Sequence, residues 1–108
     1  MRWTSHGVRQ PTCLFEAAVF HCAVMPVCAC GHAACFAPHG LWWHFHRRQW
    51  DDRFGEARRR FWCRRCRAAL GRKIAPLRIE APHLTAEAIA LPPPDERAWR
   101  RAVSRHRA

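Results

Sequence analysis

Four cysteines fall into two close pairs, Cys28-Ala29-Cys30 and Cys63-Arg64-Arg65-Cys66. A structural zinc site needs four tetrahedral thiolate or imidazole ligands, usually assembled two by two, with no position left open for water. A C-x-x-C turn presents two sulfurs to one ion with little strain. A C-x-C turn is tighter, and Gly31 directly after Cys30 supplies the backbone freedom it needs. The expected ligand set is therefore Cys28, Cys30, Cys63 and Cys66, holding one Zn that supports folding rather than hydrolysis. His32 and Cys35 compete for a place on the first side, and three cysteines with His32 would serve equally. Iron in an all-cysteine site would use the same ligands.

Two rival readings of these thiols exist. Reduced cysteines can act as small apolar residues, which suits Cys13 and Cys22. It suits Cys63 and Cys66 poorly, because Arg64, Arg65 and Arg67 surround them. Those arginines would offset the negative charge that four thiolates leave around a divalent ion, and would lower thiol pKa values. The same effect would activate a redox C-x-x-C, but the βαβ context expected of a thioredoxin-like motif is missing.

The segments that must position the pairs can be read from pattern. Residues 24–28 read as a short strand that Pro26 confines to a sheet edge. Residues 39–62 read as helical, with Trp43, Trp50, Phe54, Ala57 and Phe61 on one face and Asp51-Asp52 splitting the segment as a cap. Residues 74–80 alternate in part and form a second edge strand. Pro82 and Pro92-Pro93-Pro94 mark a linker, and Asp95 caps a short basic helix containing Trp99 that runs to about Ser104. The fold expected is α+β: a small zinc-ribbon-like domain with a helical insert between two metal knuckles and a short C-terminal helix. Its parts are a weakly ordered N-terminal arm (1–23), the zinc-ribbon-like domain (24–80), a Pro-rich linker (81–94) and a basic C-terminal helix (95–108).

The order Cys28-x-Cys30-Gly31-His32, an arginine-ended helical stretch, then Cys63-x-x-Cys66 and a short strand resembles a group of small bacterial zinc-ribbon-like proteins. The tail Pro94-Asp95-x-x-x-Trp99-Arg100-Arg101 is similar to tails of the same group. The resemblance covers roughly residues 24–80 plus that tail. It implies the four cysteines as ligands and His32 as a supporting residue, and it carries over no activity. Arg67 stands where zinc knuckles commonly have glycine, so the second turn departs from the pattern.

The 108 residues suit one domain, and a chain this short gains from a metal staple. Nineteen Lys+Arg against eight Asp+Glu give a net charge of +11, which favours nucleic acid as partner, ahead of an anionic membrane surface or an acidic protein. Lys73 is the single lysine; such an arginine excess is also what a GC-rich genome would write. Between residues 47 and 73, eleven cations meet three acids, with Trp50, Phe54, Phe61 and Trp62 interleaved. Arg47, Arg48, Arg58, Arg59, Arg64 and Arg65 are the candidate nucleic-acid contacts, with aromatics available to stack bases. Helical spacing assigns Trp43, Trp50, Phe54 and Phe61 to a core face instead. Trp42 and Trp62 fall off that face, and with Trp99 they suggest a protein-interaction adaptor as the alternative.

His39, His44 and His46 lack the i, i+4 spacing of a helical metal pair and read as packing residues. No Ser/His/Asp grouping, Gly-rich phosphate loop or acid pair points to an enzyme. The apolar stretch 14–27 is broken by Glu16, His21 and Pro26, too short to span a bilayer and unlike an export signal. A cytoplasmic protein with reduced thiols is the expectation, with no membrane partner.

Overall fold

The computed structural model describes residues 2–3 and 9–107. A first antiparallel pair joins β1 (Arg2–Trp3) to β2 (Arg9–Gln10). Helix α1 (Leu14–Val19) follows, then β3 (Met25–Val27), α2 (Pro38–Arg47), α3 (Phe54–Ala57) running into a 3-10 turn at Arg58–Arg60, and α4 (Arg64–Leu70). Strand β4 (Arg78–Glu80) and α5 (Glu96–Arg107) complete the order. No helix among the described residues is long and apolar enough to cross a membrane.

Strand β3 pairs antiparallel with β4, Pro26 opposite Ile79. On its other side Val24 exchanges both backbone hydrogen bonds with Phe36, and the Cys28 N–H reaches the His32 carbonyl at 2.9 Å. In this two-stranded sheet β3 keeps the edge position expected from Pro26, and isolated bridges at Val24 and Val27 bring the returning chain along its outer side. Val24 and Cys28 both point their amides to the returning chain, so by the strand's period of two the Pro26 nitrogen faces the same way, and only one donor is missing from that ladder.

Helix α2 opens with Pro38 in its first turn, where a missing N–H costs nothing. Its buried face is Pro38, Leu41, Trp42 and Phe45, an i, i+3, i+4, i+7 stripe. Trp42 is 4% exposed, so the residue expected to lie off the core face lies in the core, while Trp43 packs at its margin. The helix stops because Gln49 turns to φ +57°: the Trp50 N–H returns to the Phe45 carbonyl and the Gln49 N–H to His46, with the Trp50 and Phe45 rings 5.3 Å apart. His21 (φ +57°) ends α1 in the same way, with Cys22 N–H to Ala17 and His21 N–H to Ala18.

The split near Asp51-Asp52 occurs, but Arg53 precedes α3 as its cap residue. Asp52 instead accepts the Phe15 N–H on its carboxylate at 3.0 Å and the Leu14 N–H on its carbonyl at 3.0 Å, closing the start of α1 across the chain. Residues 14–24 consequently lie inside the packed body and not in a loose arm. Leu14, Ala17 and Val24 share a core with Leu41, Trp42, Phe45, Ala57, Ile79 and Ala102. Glu16 is buried among them; desolvation alone would raise its pKa, but donors including the Thr12 amide and hydroxyl bring it below the usual carboxylate range.

Helix α5 begins as expected, Asp95 accepting the Ala98 N–H at 2.7 Å. It docks on its own domain: Trp99 meets Phe15 at 5.5 Å, Trp42 at 5.3 Å and His39 at 4.8 Å between centroids. The proline-rich segment before it is tied down as well. Ile89 and Cys35, and Ala37 and Ile89, share backbone hydrogen bonds of 2.9 and 2.8 Å, and the Leu91 carbonyl lies 2.1 Å from where a Cβ on Gly40 would stand.

Two substitutions test this packing. Gly40→Ala drives a methyl into backbone and should cost about 1–3 kcal/mol; Gln49→Gly relieves a left-handed residue and should add about 1 kcal/mol. Urea midpoints at unchanged slope would register both; an unchanged midpoint for Gly40→Ala would mean that the 88–91 segment is not held against α2.

Candidate metal centre

Two unlike elements supply the thiols. The first pair sits on the turn between β3 and its return, closed by Cys28 N–H to His32 and Gly31 N–H to Cys28, each at 2.9 Å. Gly31 takes φ +91°, a conformation that side chains rarely tolerate. The second pair opens a helix instead of forming a second knuckle: Cys63 is the cap residue of α4 and Cys66 lies within its first turn. This accounts for Arg67 at a position where a knuckle would favour glycine. The glycine appears later, at Gly71 (φ +70°), where α4 ends.

Aromatic packing delivers Cys63 to the turn. Phe61 lies 5.5 Å from Phe36 and 6.0 Å from Phe45, anchoring the chain just before it. The Cys63 N–H then bonds the Ile74 carbonyl at 3.0 Å, and Leu77 N–H bonds Val27 at 2.8 Å, so the residues after α4 run back beside β3.

The four sulfurs lie within 4.8 Å of one another. The shortest separations cross between the pairs: Cys28 to Cys66 at 3.5 Å and Cys30 to Cys63 at 3.6 Å. Zinc–sulfur bonds of about 2.3 Å would place tetrahedral sulfurs about 3.8 Å apart, so the donor set fits such an ion with little movement. Among the described residues these four form the one group of three or more potential ligands close enough to share an ion. His32 and Cys35 are not part of it; the His32 carbonyl closes the turn, and the Cys35 carbonyl receives Ile89. Cys28 and Cys63 are buried, Cys66 is half-buried and Cys30 is exposed.

The Cys63 thiol is shifted towards acidity. The Cys66 backbone N–H donates to it, and with the thiols of Cys30, Cys28 and Cys66 it overcomes desolvation and lowers the pKa to about 7. Cys66 is pushed up to about 12, chiefly by its hydrogen bond to Cys28 and then by burial. The leading contributions are amide and thiol donors, not the guanidinium groups to which the sequence points. Arg67 is occupied with the Gly71 carbonyl, while Arg64 and Arg65 are exposed. Cys13, raised to about 11 mainly by burial, behaves as the small apolar residue expected.

The arginine candidates are scattered. Arg47 lies 5.5 Å over Trp43 and Arg48 5.6 Å over Trp50. Arg58 donates to the Pro76 carbonyl, and Arg59 pairs with Glu56 at 3.8 Å. Arg64 and Arg65 have no ion pair among the described residues. With Arg60, which the sequence reading passed over, they border a cleft beside the cysteines. Of the three tryptophans considered for docking, Trp42 and Trp99 are spent on the core and Trp62 is 45% exposed. Compared with protein-family models, curated proteins and solved structures, the chain matches none.

The geometry separates seven cysteines into four and three. Cys63→Ser and Cys30→Ser should each abolish stoichiometric metal retention after gel filtration, whereas Cys13→Ser and Cys35→Ser should retain it. Equal metal content in the Cys63→Ser and Cys13→Ser proteins would remove Cys63 from the set.

Proposed function

We propose that Cys28, Cys30, Cys63 and Cys66 hold one structural zinc ion, and that the fold so secured binds nucleic acid through arginines around α4. The observation that carries the metal reading is the convergence of four sulfurs from a turn and a helix start, 33 to 38 residues apart in sequence, into a set of tetrahedral size. A closed all-thiolate set is a structural arrangement, with no open position for a substrate.

The binding reading is supported by charge. The whole chain carries +11, and Arg64 and Arg65 form no ion pair among the described residues. Guanidinium groups left in this state serve phosphate contacts well, since each bond formed releases a counterion. Arg58 and Arg59 are weaker candidates than their sequence position implies, one bonded to backbone and the other paired with Glu56.

Metal removal should act locally. Helix α4 buries none of its residues, and Leu70 is 58% exposed, so the ion supplies the attachment that apolar burial supplies elsewhere. Elemental analysis should find one zinc per chain and no iron. Chelation should then abolish amide-exchange protection over residues 63–73 while α2 stays protected; full protection without metal would refute a structural ion. For the second half, affinity for mixed-sequence DNA or RNA should fall steeply with salt. Replacing Arg64 and Arg65 by Glu should weaken binding about tenfold or more and flatten the salt slope by about one unit per lost phosphate contact. Unchanged affinity would leave these arginines as solvated surface.

A further inference from the structure

Beside the cysteine cluster opens a cleft of about 610 Å3. Pro26, Phe36, Phe61, Pro76 and Ile89 line it, and Trp62 contributes an indole ring that is 45% exposed. Arg60, Arg64 and Arg65, all exposed, stand on the same lining, together with His32. Among the described residues, no carboxylate, amide or hydroxyl side chain lines the cleft. The volume is that of an ordinary ligand site, large enough for a nucleotide.

We infer that this cleft receives an unpaired base of a single-stranded nucleic acid, which stacks on Trp62 while Arg64 and Arg65 hold the flanking phosphates. The inference rests on the nucleic-acid reading above and narrows it to single strands. A duplex offers proteins its phosphates and base edges, with the base faces already stacked on one another, so it has nothing flat and apolar to insert. An unstacked base offers its π-face, and stacking on an aromatic side chain beside guanidinium groups needs no edge-reading partner. The lining supplies that combination: apolar walls, one part-exposed indole that Lys73 approaches at 5.5 Å, and the exposed Arg64 and Arg65, with Arg60 stacked 4.1 Å over Trp50. A peptide in the same place would bring main-chain amides into walls that offer them few partners, leaving polar groups unpaired.

The test uses the metal-loaded full chain and three labelled probes of one length: a mixed-sequence single strand, its duplex, and a strand with abasic sites throughout. The single strand should bind more tightly than either of the others. Trp62→Ala should weaken single-strand binding about tenfold and leave the duplex and abasic probes unaffected, with Trp62→Phe restoring most of the loss. Metal content of each variant, unchanged from wild type, certifies the fold. Independently of any substitution, photocrosslinking a halogenated-base strand to the wild-type chain should place the adduct on the peptide containing Phe61 and Trp62. Equal affinity for all three probes, a Trp62→Ala loss shared by all of them, or crosslinks confined to α2 or α5 would overturn the cleft assignment while leaving nucleic-acid binding intact. Failure of every probe to bind would sink the nucleic-acid reading itself. Capture of an acidic peptide by the cleft under those conditions would give the site to a protein and overturn the inference.

Discussion

Bringing four thiol sulfurs within 4.8 Å of each other is a demand that little else in this chain would satisfy. Without a cation between them, thiolates repel, and protonated thiols contribute only weak hydrogen bonds. Packing of Phe61 brings the chain to the turn, but the helix that follows buries none of its residues. The turn after β3 exposes Ala29, Cys30 and Gly31 to solvent, and α4 exposes Arg64, Arg65 and every residue from Arg67 to Leu70. Apolar burial drives most helices of small domains onto their cores, yet α4 buries none of its residues and meets the turn through the cysteines at its start. The position of the cleft depends on the same constraint, because Cys28 and Cys63 form part of its wall and Arg64 and Arg65 follow directly from Cys63.

The rest of the domain is held by a different force. Phe15, Trp42 and Trp99 meet with centroids 5.3 to 5.8 Å apart, and α1, α2 and α5 each contribute one of them. Aromatic rings bury large areas and favour tilted and edge-on contacts such as these. Phe45 and Phe61 link this cluster to the cysteine end, so the two parts share a boundary rather than a linker. The arginines divide accordingly. Those near α2 lie over tryptophan faces, Arg60 at 4.1 Å from Trp50 being the closest, while on α4 Arg67 bonds the Gly71 carbonyl and Arg64 and Arg65 form no ion pair among the described residues.

The convergence of four cysteines was legible because it leaves a compact signature: two short cysteine pairs and a glycine. The choice among Cys30, His32 and Cys35 was not, since it depends on which way a turn points its side chains. The α+β class, the pairing strand at Met25–Val27 and the cap at Asp95 were likewise readable from local chemistry. Long-range placement was hidden. Residues 14–24 looked peripheral because periodicity could not say whether a short apolar run is core, and the Asp52 carboxylate that fixes α1 acts across 37 residues. The stripe of Pro38, Leu41, Trp42 and Phe45 was present in the sequence all along, but the charged second half of the segment drew the helical frame towards Trp43 and Trp50. The second knuckle became a helix start because Arg64, Ala68, Ala69 and Leu70 favour helix and no glycine interrupts them before Gly71.

The close approach of Leu91 to Gly40 has a hydrodynamic consequence. Since that carbonyl occupies the space of a missing side chain, the proline-rich stretch lies flat on α2 and hands the chain to α5 at a fixed point. The cationic side of α5, with Arg97, Arg100, Arg101 and Arg105, is thereby locked in bearing to the rest of the surface. A fluorophore carried at Ser104 would report the tumbling of the whole particle, with none of the rapid depolarisation of a tethered tail.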